Sequence, residues 1–250
     1  AGVSAVKITQ RGGDGEMHMD ELKSQKVWLC WNYETRKGKR TKVPISASGT
    51  ATGTNSEYAH TWVTYDEAIK AADKHGYNGV GFTIPQGYFF LDIDHKELTD
   101  PFVQLMLERF NSYAEYSVSG GGIHIYGKCD IDRVPTYLDK DGKLRLDKAF
   151  YMKNPHNSTE LYCGGITNRF AVYTGNVIHN VPLKECTDAL LVTLDKDMRR
   201  QQKVKYSGKR DGDDRELFDI VANLLKQKNG EKFRKLYCDG DFLSLIHISE

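Results

Sequence analysis

The sequence lacks a C-x-x-C pair, and its five cysteines, Cys30, Cys129, Cys163, Cys186 and Cys238, are scattered along the chain. That spacing argues against a clustered zinc site and offers no disulfide framework, so reduced thiols of a cytosolic protein are the simplest reading. No apolar run approaches the roughly 18 residues needed to cross a bilayer, and the start lacks the charged-then-apolar pattern of a secretion signal. A soluble, cytoplasmic chain with no membrane partner is expected. There is no internal repeat, no low-complexity tract, and no G-x-x-x-x-G-K-[ST] phosphate loop of the kind a helicase carries. Net charge is nearly absent too. With 35 basic and 34 acidic residues leaving +1, affinity for an anionic polymer must come from local clustering.

At 250 residues the chain has room for one sizeable domain and a small appendage. Residues 1–20 are polar and aperiodic, as in a flexible leader. Val27 to Tyr33 reads as a strand. Arg36 to Lys42 puts five basic residues in seven positions, which predicts a charged loop before Val43-Pro44-Ile45. Thr64-Tyr65-Asp66-Glu67 has capping-box spacing and opens a helix that Gly76 can close. Strands follow over Gly79–Ile84 and Tyr88–Asp94. Asp100-Pro101 starts a helix running to about Phe110. Tyr116–Ser119, Ile123–Tyr126, Glu160–Cys163 and Arg169–Thr174 read as further strands. Residues 191–212 look like a basic linker, with seven basic residues against one acid between Lys196 and Arg210. Beyond it the Asp213-Asp214 cap and Leu217, Ile220, Val221, Leu224 and Leu225 predict a helix that Asn229-Gly230 stops.

Chemistry concentrates in three segments. In Tyr88-Phe89-Phe90-Leu91-Asp92-Ile93-Asp94 the strand period puts Asp92 and Asp94 on one face and Leu91 and Ile93 on the other. Two adjacent carboxylates repel, and a half-buried strand carries them at low cost only beside a cation, for which magnesium with its hard oxygen ligands is suited. The same D-x-D occurs in glycosyltransferases and phosphohydrolases, and also as a plain pair facing water. In Ser117-Val118-Ser119-Gly120-Gly121-Gly122-Ile123-His124 the glycines let backbone N–H groups approach an anion, and His124 shares a face with Tyr126. A hairpin with a satisfied histidine is the plain alternative. In Thr159-Glu160-Leu161-Tyr162, Glu160 is a third strand carboxylate. The cluster Arg36, Lys37, Lys39, Arg40 and Lys42 beside Trp28, Trp31 and Tyr33 fits a single-strand path, with cations on phosphates and aromatics under bases, or a solvated loop beside core tryptophans.

The order D-x-D on a strand, then S-G-G-G-x-H, then E-L-Y and N-R-F-A-V-Y-T-G, resembles the primase-polymerase domains of phage and plasmid replication proteins, within the archaeo-eukaryotic primase superfamily. Lys42-Val43-Pro44, Thr61-Trp62, Gly79-Val80-Gly81-Phe82 and Ser112-Tyr113-Ala114-Glu115-Tyr116 extend the likeness over roughly residues 26–178. The glycine segment departs from the family's common S-P-S-G-x-G by Val118, which changes the stiffness of the loop. The resemblance implies an α+β fold with a mixed, largely antiparallel sheet over residues 21–190 and a partial helical domain at 213–242. The tail 243–250 lies outside the likeness, as from a truncated or altered reading frame.

It further implies template-directed nucleotidyl transfer in phage or plasmid replication, with Mg2+ or Mn2+ in a two-metal site held by Asp92, Asp94 and Glu160. His124, Ser119, Gly120, Gly121 and Gly122 would grip a dNTP or NTP, helped by Arg169 and Lys42. The partners implied are a single-stranded DNA template, met through Arg36, Lys37, Lys39, Arg40 and Trp31, and a helicase module in the full-length protein. The place of action would be the cytoplasm, that of the host for a phage-encoded chain. The competing expectation is a catalytically silent single-strand-binding replication-initiation module.

Overall fold

The computed structural model describes residues 19–200 together with Leu225, Lys226, Gly230, Glu231 and Arg234, all five of them helical. The chain divides into two units at Arg200. The expected helical domain at 213–242 falls on the second unit and is described only at those five positions. Gly230 is itself helical rather than the expected stop. Residues 201–212 and 243–250 and most of the leader lie outside the described residues.

The first unit runs α1 (Asp20–Lys23), β1 (Trp28–Arg36), β2 (Lys39–Ile45), α2 (Tyr65–His75), β3 (Gly79–Thr83), β4 (Tyr88–Asp94), α3 (Pro101–Phe110), β5 (Ala114–Tyr116), β6 (Gly122–Lys128), β7 (Thr136–Leu138), β8 (Leu144–Leu146), β9 (Lys153–Asn154), β10 (Thr159–Cys163), β11 (Phe170–Tyr173), β12 (Val177–His179) and α4 (Thr187–Asp197), with short 3-10 turns at Ser56–Thr61 and Ile131–Arg133. The strands form a four-stranded sheet, β11-β3-β1-β2, a six-stranded sheet, β12-β5-β6-β4-β10-β9, and the β7-β8 hairpin. Every pairing of neighbouring strands is antiparallel. The fold is α+β with largely antiparallel sheets, as expected.

Local chemistry accounts for the main helices. The Glu67 carboxylate accepts from the Thr64 N–H at 2.8 Å and Gly76 closes α2 in the left-handed region at φ 69°. Asp100 accepts from the Phe102 N–H at 2.8 Å and Pro101 sets the first turn of α3.

Four expectations need correction. Arg36 and Lys39 are cross-strand partners, so the basic stretch is a tight hairpin and not a loop. Its two-residue turn, Lys37-Gly38, has positive φ at both positions, 50° and 75°, the pattern that matches strand twist. The strand expected at Tyr116–Ser119 is β5, Ala114–Tyr116, and the serines belong to the turn. The linker expected from residue 191 is occupied to Asp197 by α4, whose Leu190 and Leu194 are buried with Met198 just beyond it. The leader's end is not loose, since Met19 is buried beside Leu22.

The six-stranded sheet buries both faces. On one, Leu91, Ile93, Ile123, Ile125 and Leu161 pack with Val103, Met106 and Phe110 of α3 and Leu190 and Leu194 of α4. On the other, Phe90, Tyr126 and Tyr162 join a second core with Trp28, Val80 and Phe82 of the four-stranded sheet and Ala68 and Ala72 of α2. At about 1.5–3 kcal/mol per fully buried large side chain, these two cores fix the register of β4, β6 and β10.

Candidate active site

That register builds a polar row across four strands. Glu160 of β10 lies opposite Asp92 of β4, Asp92 opposite His124 of β6, and His124 opposite Glu115 of β5. One rung along the same face, Tyr162, Phe90 and Tyr126 stack as an aromatic floor, with ring centres 6.0 and 5.1 Å apart. Asp92, His124 and Glu160 open on a cleft of about 460 Å³, together with Lys42 of β2 and Lys153, Arg36 and Arg169.

Asp92 is the strained member. Its side chain is 21 % exposed, its Oδ1 is buried without a hydrogen-bond partner, and His124 Nε2 stands 3.7 Å from that oxygen. Burial pushes its carboxyl up to about 6; Asp94 and Glu160 push the same way, while His124 and Lys42 oppose them. Lys42 is in turn pulled down by burial and partly restored by Asp92 and Asp94. A buried carboxylate oxygen with no donor, flanked by two further carboxylates, is a set of hard oxygens suited to a divalent cation. Among the described residues, however, no three His, Cys, Asp or Glu side chains converge closely enough to share one ion. Glu160 is drawn aside, since its Oε2 accepts from both the Lys153 ammonium and the Tyr162 hydroxyl.

His124 is held from behind by Glu115, a residue the sequence reading did not assign to the site. Glu115 is fully buried, and its carboxylate accepts from the N–H groups of Thr174 and Gly175 at 3.0 and 2.9 Å and from the Tyr126 hydroxyl at 2.8 Å. Tyr113 adds a contact at 3.3 Å. The Glu115 Oε1 stands 3.3 Å from His124 Nδ1, which leaves Nε2 facing Asp92. Glu115 is thus a positioning residue for the ring. Only its place two residues before Ser117, on the strand next to β6, could have signalled it.

The other expected residues divide. Lys42 and Arg169 line the cleft, with Arg169 lying 5.9 Å over the Tyr162 ring. Asp94 pairs with Gly122 one rung from Asp92 and does not line the cleft. A Cβ at Gly122 would come within 2.8 Å of the Ile93 carbonyl, so that close approach requires glycine. The Ser119–Gly122 loop sits at that end. The Gly120 N–H is spent on Ser117 O and the Gly121 N–H on Ser119 Oγ, and the structure does not bring the loop into the cleft. Arg36 reaches the cleft but pairs with Glu34 at 3.0 Å, and Arg40 stacks on Tyr33 at 3.6 Å. Lys37 and Lys39 are exposed. Trp31 must be corrected: it is 2 % exposed and its Nε1 donates to Val80 O, so it offers no surface to a base.

With this geometry in view, comparison with known proteins gives one informative match. A DNA primase-polymerase of Nitratiruptor phage NrS-1 is 28 % identical over 157 residues. The chain is similar to a primase-polymerase. The match covers 60 % of this chain and 19 % of the relative, so the chain spans about a fifth of that protein. No family model matches the chain.

Proposed function

We propose that the cleft is the nucleotidyl-transfer site of a DNA primase or polymerase, joining dNTPs or NTPs on a single-stranded DNA template. The observation that carries the reading is the partnerless, buried Oδ1 of Asp92, which feels the carboxylates of Asp94 and Glu160 and the ammonium of Lys42. A fold does not keep such an arrangement for stability. Asp92, with Asp94 from one rung beyond the cleft and Glu160 once it leaves Lys153 and Tyr162, would hold Mg2+ or Mn2+. The bound metal would supply activation of a primer hydroxyl and neutralisation of phosphate charge. Lys42 and Arg169 are placed to bind the triphosphate, and His124, its ring fixed by Glu115, presents Nε2 at the same wall of the cleft.

The test is incubation with labelled dNTPs or NTPs on primed and unprimed single strands, in magnesium, manganese or chelator. Metal-dependent products are expected from the wild type. Asp92→Ala combined with Asp94→Ala should lose at least a thousandfold in rate while keeping its circular dichroism. Normal extension by that double variant would falsify the assignment.

A second reading, a silent single-strand-binding module, draws on the engagement of Glu160 by Lys153 and Tyr162. It expects DNA binding in chelator and no incorporation with either metal.

A further inference from the structure

A second groove, of about 660 Å³, lies next to the carboxylate cleft and shares Asn168 and Arg169 with it. Its lining carries four cations, Arg145, Lys148, Arg169 and Arg200, and no carboxylate. For a chain whose net charge is +1, that is a marked local excess. Arg145 is paired with Asp139 at 2.8 Å, whereas Lys148, Arg169 and Arg200 are exposed and form no ion pair among the described residues. The cations are interleaved with rings. Lys148 lies 4.9 Å from the centre of Tyr137, which lines the groove with Phe150, while Arg200 donates its Nε to Phe150 O at 3.1 Å and lies 4.3 Å over Tyr151 just outside the lining.

We propose that this groove, rather than the β1–β2 hairpin, seats the phosphate backbone of single-stranded DNA and leads it past Arg169 to Asp92. Exposed, uncompensated cations alternating with rings are what a flexible polyanion with stackable bases requires. The hairpin also carries two exposed lysines, Lys37 and Lys39, unpaired among the described residues, but there Arg36 is paired and the nearby Trp31 is buried. Continuity through Arg169 gives the strand a direction, from the β7–β8 side towards the carboxylates. The proposal rests on the polymerase reading of the cleft for that destination.

The test uses the full chain and a fluorescein-labelled oligo-dT in chelator, so that binding is read apart from catalysis. Lys148→Glu combined with Arg200→Glu should weaken binding tenfold or more and flatten the salt dependence by about 0.7 per cation removed, with an unchanged thermal melt. Lys37→Glu combined with Lys39→Glu should change affinity less than threefold. Unaltered binding by the groove variant, loss confined to the hairpin variant, or no binding by the wild type would each overturn the groove. Failure of the catalytic reading is a separate result, namely a wild type that binds through the groove and incorporates nothing with metal present.

Discussion

At the residue scale, Asp92 links stability to function. Its carboxyl, raised to about 6 from an unfolded value near 3.9, binds more protons in the native state than in the unfolded chain over that interval. Stability without metal therefore falls as pH rises from about 4 to 6 and stays at the lower level above it. The cost at neutral pH is on the order of 2–3 kcal/mol. Asp92→Asn removes the charge, so in chelator at pH 7.5 the variant should melt several degrees above the wild type, and the two should converge at pH 4. Magnesium should raise the wild-type melting point and leave the variant unmoved. Calorimetry across pH checks this, and a variant no more stable than the wild type at pH 7.5 would refute the account.

Glu115 contributes through its hydrogen bonds. Its carboxyl is buried and amply donated to, so Glu115→Ala strands two backbone N–H groups and releases the His124 ring, while the Tyr126 hydroxyl keeps Val172 O as acceptor. A loss of about 3–5 kcal/mol is expected in urea unfolding. A loss below about 1 kcal/mol would mean that water replaces the carboxylate and that the site is wetter than its geometry implies.

At the element scale, what could be read in advance follows from period and caps. β4 was legible because Leu91 and Ile93 alternate with Asp92 and Asp94, and α2 and α3 because Thr64, Gly76 and Asp100-Pro101 bound them. α4 was not, because Leu191 and Val192 interrupt its apolar stripe and Cys186, which donates to Phe110 O, stands where a capping side chain is usual. β5, β7 and β8 span three residues each, too few for a period to register. In the site, the shared face of Asp92 and Asp94 and that of His124 and Tyr126 were legible from strand alternation, while the convergence with Glu160 was only what the resemblance implied. Glu115 was not legible, since its partners are the backbone of residues far along the chain. Trp31 misled because an aromatic beside cations reads as a base platform until burial is known.

Gly164, just past β10, gives an element-level test. A Cβ there would lie 1.8 Å from the Pro85 carbonyl, so backbone and not side chain would have to move. Gly164→Ala should cost about 3 kcal/mol or more in denaturant unfolding and lower incorporation by displacing β10 and Glu160. A cost near zero would show that this end of β10 is free to shift.

At the scale of the whole molecule, near-neutrality conceals a local difference: the cleft mixes Asp92 and Glu160 with four cations, whereas the groove beside it is lined by cations without a carboxylate. With the strand seated in the groove alone, the slope of log affinity for single-stranded DNA against log salt should lie near −2 to −3, as three or four phosphate contacts give. A slope steeper than about −5, measured by anisotropy, would require a broader basic surface.

The row Glu160–Asp92–His124–Glu115 draws one side chain from each of four strands. Segments between those strands that line neither cleft nor groove, such as residues 95–113 from β4 to β5, can therefore change length at their turns over generations without disturbing the chemistry. A single residue added inside any of the four strands is another matter. It would rotate an acid or the imidazole out of the cleft and bring a leucine, isoleucine or alanine in, so insertions compatible with activity should be found in the connections alone.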